Sequence, residues 1–294
     1  MEFRGIMGGF YRISEWVMRL TVINLLWLVC SLPFFYFGLV LMVSPDVTVD
    51  MLKQGLVILG ILSPFTLVPA TAAVFTVARK WVTGDEDVPL FKTYFRGYKE
   101  NYKQSMLGGL FYLLLGVLLY VNYHFYGNQQ GMLRVLSFLF ITLFFIAAAS
   151  FLNFLSIMVH FHMKFSQLLK NSFFITIGRP ITSVSIVVTA GAILFFSYQF
   201  TFLIPFFVCS LIATASFWYF HRSYIKLQDQ RERMEQAERE ALEEEGRQTE
   251  EEAPGESTAE TPGQLPEGGE NGSINEPRTD EDGRKPSGST RSGE

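Results

Sequence analysis

No aspartate, glutamate, lysine or arginine occurs in the stretches 21–42, 55–77, 106–125, 135–159, 181–199 and 202–220. A surface helix of a soluble protein turns a charged or polar face to water, and these stretches have no charged face. A bilayer core about 30 Å thick takes about 20 apolar residues of helix, and inside it each backbone N–H and C=O must be bonded within its own segment. The stretches therefore read as about six membrane-spanning helices. The last two form one uncharged run interrupted only around 199–201 and at Pro205, which reads as a tight helical hairpin. The missing charge also counts against an ion-coupled pump, because ionisable groups within the membrane mark proton relays and ion paths.

Other absences narrow the chemistry. The two cysteines, Cys30 and Cys209, lie singly in apolar runs, with no CxxC, and read as small packing residues. There is no GxxxxGK[ST] phosphate loop, no HExxH, no GxSxG and no pair of carboxylates in the apolar region. The sequence thus assigns no catalytic, cofactor-binding or metal-ligating residue, no cofactor and no nucleic-acid partner, and a non-enzymatic protein is expected. His160, His162 and His221 fall at helix ends of one side and His124 at the other. Without acids or cysteines at matching spacing they read as interfacial hydrogen-bonding groups. No small-x-small cleavage site follows the first apolar run, so it reads as an uncleaved span.

What is present is positive charge in alternate connections. Arg4, Arg12 and Arg19 precede the first span. Arg79, Lys80, Lys92, Arg96, Lys99 and Lys103 follow the second, Lys164, Lys170 and Arg179 the fourth, and Arg222 and Lys226 the sixth. The remaining connections hold only Lys53 and Arg134. Because positive charge stays on the cytoplasmic side, both termini are expected there, in a bacterial cytoplasmic membrane. The expected fold is all-α: a polytopic transmembrane bundle at 1–226, a charged helical extension at 227–246 and an acidic, disordered tail at 247–294. Arg231, Glu235, Arg239 and Glu243 stand at four-residue steps that suit ion pairs on a helix. The tail is rich in Glu, Gly, Pro, Ser and Thr and cannot bury enough apolar surface to offset ordering.

Inside the spans, Pro69-Ala70-Thr71-Ala72-Ala73, Ala147-Ala148-Ala149-Ser150 and Thr189-Ala190-Gly191-Ala192 supply small residues that let helices approach closely in lipid. Asn24, Asn122 and Asn153 are read as intramembrane polar packing through hydrogen bonds between helices; the rival reading is the lining of a polar path. Segment 85–105 is the most informative connection. Phe91, Tyr94, Phe95, Tyr98 and Tyr102 recur at helical spacing, and Lys92, Arg96, Lys99 and Lys103 recur beside them, with Asn101 between. Pro89 suits the first turn, and Asp85, Glu86 and Asp87 sit at the positive end of the helix dipole. The pattern predicts an in-plane amphipathic helix that meets lipid headgroups or a soluble partner. Residues 160–177 repeat the plan with Phe161, Phe165, Leu168, Leu169 and Phe173.

Several of these motifs resemble the YesL-like family (DUF624) of bacterial membrane proteins: Asn24-Leu25-Leu26-Trp27 with Leu32-Pro33, Pro69-Ala70-Thr71-Ala72-Ala73, Lys99-Glu100-Asn101-Tyr102-Lys103-Gln104, Lys170-Asn171 and Gly178-Arg179-Pro180. The resemblance covers residues 1–225 or so. Members are often encoded beside carbohydrate-uptake and polysaccharide-degradation genes. That implies an accessory or regulatory role near a carbohydrate transporter or a cytoplasmic regulator. The alternative is a permease component for a sugar or oligosaccharide. The inner-loop motif opening Glu-Ala-Ala, by which permease subunits of ATP-driven importers dock their ATPase, is missing from both inner connections.

Overall fold

In a computed structural model, the structure describes residues 6–44 and 48–252, and among these every regular element is helical. The helices are α1 (Ile6–Cys30), α2 (Leu32–Val43), α3 (Val49–Leu62), α4 (Leu67–Val82), α5 (Leu90–Gly127), α6 (Leu136–His160), α7 (Phe165–Gly178), α8 (Pro180–Gln199), α9 (Leu203–Phe206) and α10 (Val208–Glu252). One turn of 3₁₀ helix, Gly131–Val135, leads into α6. The chain is an all-α helical bundle. It divides into two units, Met1–Glu238 and Arg239–Glu294, and of the second the described part is the end of α10. Past Glu252, the tail expected at 247–294 lies outside the described residues.

Prolines set the breaks that hydropathy alone does not show. The span expected at 21–42 is interrupted at Ser31, because Pro33 lacks an N–H and its ring collides with the carbonyl four residues back. The helix before the break begins much earlier than expected, at Ile6. The span expected at 55–77 is α3 and α4, bent by 47° at a break that contains Pro64. There the Ser63 and Thr66 hydroxyls donate to the Gly60 and Leu62 carbonyls at 2.9 and 3.0 Å, so the broken turn keeps its polar groups bonded. Gly9–Cys30, Leu90–Gly127, Gly131–His160 and Pro180–Gln199 are long and apolar enough to cross a membrane, and the bent pair makes a fifth. The sixth expected span, 202–220, is split at Phe207 into α9 and the start of α10. From Val208 to Phe220 the helix rises only about 20 Å before His221 and Arg222.

A second departure concerns 85–105. The expected in-plane helix is not separate: α5 runs without interruption through 38 residues, from Leu90 into the third span. At about 57 Å it is far longer than a bilayer core, so one stretch of it extends beyond the hydrocarbon. The connection after α6 does form a helix of its own, α7, set off by Phe161–Lys164 before it and by Arg179 after it.

The core gathers around α4. Ala70, Ala72, Ala73, Val74, Phe75, Val77 and Ala78 are buried there, with Tyr94 of α5, Phe154, Leu155 and Ile157 of α6, and Ala213 and Phe217 of α10 packed around them. Seryl groups fill the seams: Ser31, Ser105, Ser150, Ser156, Ser172 and Ser210 are fully buried. The outside is apolar, with Met132 90%, Ile181 84% and Phe138 68% exposed. Small polar residues within and large apolar ones without is the arrangement of a bundle solvated by lipid. The chain is a membrane protein.

Candidate interaction site at the basic end of the bundle

Several helix ends converge at one end of the bundle. Trp16 of α1 meets Trp81 of α4 edge to face, with ring centroids 5.5 Å apart. Arg79 donates to the Val159 carbonyl. The His160 ring lies 6.0 Å from that of His221, and Arg179 donates to Gln230 Oε1 at 3.0 Å. The basic connections identified in the sequence therefore share one face of the molecule.

The acidic triplet before α5 is a clamp as well as a dipole partner. Arg19, only 8% exposed, donates to Glu15 within α1, to the Glu86 carbonyl and, at 2.6 Å, to Asp87. Arg12 lies 3.8 Å from Glu86. Asp85 accepts from Lys80 at 2.8 Å, and that ammonium holds the carboxyl below its ordinary range. Pro89 stands immediately before α5 with φ of −65°, and its carbonyl accepts from Thr93 N–H at 2.9 Å. These bonds fix the entry of α5 relative to α1 and α4.

The residues singled out on α5 separate into two faces. Tyr94 is fully buried and donates to the Ala70 carbonyl at 3.3 Å. Asn101 donates to Thr76 Oγ1 at 3.3 Å and to the Gly97 carbonyl at 3.0 Å. Tyr102 donates to the Phe65 carbonyl at 3.2 Å, and Tyr98 is half-buried beside it. These side chains hold α5 against α4. Phe91, Lys92, Phe95, Arg96, Lys99 and Lys103 are exposed, and Arg96 has only the loose pairing with Glu100 at 4.0 Å. The aromatic face read from the sequence is thus half core and half surface.

The three asparagines differ equally. The Asn24 amide donates to the Ile204 carbonyl at 3.0 Å, and its oxygen accepts from the N–H groups of Cys209 and Ser210 at 2.9 and 3.2 Å. It caps the start of α10, whose first N–H groups have no helical partner after the break at Phe207. Asn153 donates to Thr176 of α7 at 3.0 Å. Asn122 donates only to the Leu118 carbonyl of its own helix, at 2.7 Å, and joins no second helix. The capping role was not legible from residue type alone; the Pro205 interruption was its one outward sign. Also missed was the seam Gly97, Asn101, Ser105, Gly108 and Gly109 of α5, whose three- and four-residue spacing of small side chains was open to view. Ser150, Ser172 and Tyr112 form a further hydroxyl cluster, with Tyr112 2.7 Å from Ser150 and 3.0 Å from Ser172. Among the described residues no three His, Cys, Asp or Glu side chains gather closely enough to hold a metal ion.

The motifs quoted from the sequence come together in space. Trp27 Nε1 of the first motif donates to Thr71 Oγ1 of the second at 3.0 Å, and Asn171 donates to Met163 Sδ at 3.3 Å beside α7. A family profile described as "Protein of unknown function, DUF624" matches residues 20–123, from α1 into α5. The Uncharacterized protein YesL of Bacillus subtilis (strain 168) is 31% identical over 242 residues, which are 81% of this chain and 99% of that protein. The chain belongs to the DUF624 family. A second relative, the Uncharacterized protein YteU of the same organism, is 29% identical over 213 residues, 72% of this chain and 84% of its own. The Uncharacterized protein YesV is 26% identical over 172 residues, 58% of this chain and 82% of its own. No solved structure matches the chain. In this DUF624 protein the profile begins one residue past Arg19 and contains the Glu86 and Asp87 that Arg19 grips, together with the two-faced half of α5.

Proposed function

We propose that this DUF624 protein is a non-enzymatic accessory or regulatory component of the cytoplasmic membrane, with its basic end and both termini in the cytoplasm. The observation that carries the proposal is the outer face of α5. Phe91, Lys92, Phe95, Arg96, Lys99 and Lys103 stand exposed on a helix whose opposite face is bonded to α4 and whose entry is clamped by Arg19. A strip on a fixed helix that mixes aromatic rings with cations suits recognition, because no backbone ordering is left to be lost on binding. The partner is a carbohydrate transporter or its cytoplasmic regulator; the carbohydrate link comes from the family resemblance alone.

The alternative, a permease component, is favoured less because several polar groups between helices are used on one another, although Ser31 Oγ and Asn153 Oδ1 are buried without a partner among the described residues. Asn24 bonds α9 and α10, Trp27 bonds Thr71, and Ser150, Ser172 and Tyr112 bond together. Affinity purification of the full chain from native membranes in mild detergent tests the reading. An importer subunit or regulator is expected in stoichiometric amount with the wild type and is lost with Lys92→Glu/Arg96→Glu/Lys99→Glu. Carbohydrate flux into vesicles that contain this protein alone would establish the permease instead.

A further inference from the structure

Where α8 begins, a cavity of about 700 Å³ opens between the α7–α8 junction and α10. Three cations line it, Arg179, Arg222 and Lys226, and no carboxylate does. Among the described residues none of the three has an acidic partner: Arg179 is bonded to the neutral Gln230, and Arg222 lies over the Trp218 ring at 5.3 Å. Trp218 and Tyr219 border the same space, and such rings settle where hydrocarbon gives way to water. The first helical bond of α8 runs from Ser183 N–H to the Arg179 carbonyl at 3.1 Å, so the N–H groups of Ile181 and Thr182 precede it and have no helical acceptor.

A second hollow of about 580 Å³ adjoins the first at Pro180, which lines both. Its walls are Phe145 and Ile146 of α6, Ile177 of α7 and Val184, Val187 and Val188 of α8. Between Pro180 and Val188 it follows α8 for about 12 Å into the apolar part of the bundle. The cationic chamber and an apolar furrow on the outside of the bundle thus lie on either side of Pro180, at the start of α8.

We propose that this pair of cavities binds an anionic phospholipid, with the phosphate against Arg179, Arg222 and Lys226 and one acyl chain in the furrow. Basic pockets between helix ends hold acidic headgroups for this reason. A zwitterionic lipid fits worse, because its ammonium would face three cations with no carboxylate to receive it. A water-soluble phosphate ester would leave the furrow uncovered. The site stands apart from the outer face of α5 and does not depend on the partner proposed for it.

Native mass spectrometry of the full chain, purified in detergent and stripped of lipid, tests this. Phosphatidylglycerol and phosphatidylcholine with the same acyl chains are titrated, and glycerol 3-phosphate is added as a competitor. One phosphatidylglycerol should bind at least tenfold more tightly than phosphatidylcholine, and glycerol 3-phosphate should not displace it. Arg222→Gln/Lys226→Gln, both at exposed positions, should weaken it on the order of thirtyfold. Val184→Trp, which obstructs the furrow, should weaken it as well, and Lys92→Gln/Lys99→Gln should leave it unchanged. Equal binding of the two lipids by the wild type overturns the proposal without recourse to any variant. So does full phosphatidylglycerol affinity in the Arg222/Lys226 variant, and displacement by glycerol 3-phosphate would mark a site for soluble phosphate esters instead.

Discussion

Asn24 answers three backbone groups with one side chain, on a helix about 180 residues away in sequence from those it serves. Water cannot substitute in the apolar interior, where an unpaired buried donor or acceptor costs roughly 1–3 kcal/mol. Asn24→Leu keeps the size but removes both halves of the amide. Measured hydrogen bonds between membrane helices fall at the lower end of that range, because the unfolded state also finds partners. A loss of about 2 kcal/mol is therefore expected in detergent unfolding followed by tryptophan fluorescence. Asn122→Leu should fall within about 0.5 kcal/mol of wild type, since that amide only returns to the Leu118 carbonyl of its own turn. The two residues are alike in sequence, each a lone asparagine in an apolar run. Only the break of another helix beside Asn24 separates them, and equal effects of the two substitutions would defeat the capping account.

The helices were legible where apolar length decided them and illegible where backbone chemistry did. The fifth span, expected at 181–199, is α8 to within one residue, and the fourth agrees with α6 as closely. Spans one and two fail as single helices at Pro33 and Pro64, because a hydropathy average passes over a residue that is apolar yet cannot continue a helix, and span six is split at Phe207, two residues past Pro205. Segment 85–105 was read by its outward charge pattern, which is right for one face; the small residues that govern the other were left out. That inner seam makes a definite claim. A Cβ added at Gly97 would come within 2.6 Å of the Thr76 Cβ, a short side chain near its own backbone with no room to withdraw. Gly97→Ala should therefore push α4 and α5 apart and cost about 1–3 kcal/mol, as overpacking does. Gly116→Ala on the same helix meets nothing within 4 Å and should stabilise, by up to about 1 kcal/mol, because alanine is the better helix former. Thermal unfolding of both variants in one detergent checks the contrast. A Gly97→Ala protein as stable as wild type would mean that α4 and α5 do not approach as closely as described.

At the scale of the molecule, the convergence of basic connections at one end fixes which loops must share a side. Arg12 and Arg19 meet Glu86 and Asp87, and α10 passes His160 and reaches Arg179 through Gln230. The first helix, the entry of α5 and the early turns of α10 beyond Phe220 thus lie together, while α5 and α6 are joined at the other end by 128–135. In the orientation proposed above, the shared end faces the cytoplasm, as retention of positive charge would have it. Single cysteines at Lys99, Gln228 and Gln129, all away from the core, convert this into a labelling pattern. With a membrane-impermeant thiol reagent on intact cells, Gln129→Cys should be modified, and Lys99→Cys and Gln228→Cys only after the membrane is opened. The native thiols can stay in place: Cys209 is buried, and the unsubstituted protein measures any background from Cys30. The pattern tests two things separately. If Lys99→Cys and Gln228→Cys behave alike but both label from outside, the bundle is as described and only its orientation is reversed. If those two positions label from opposite sides, α10 does not return to the end where α5 begins, and the packing of His221 on His160 is lost with it.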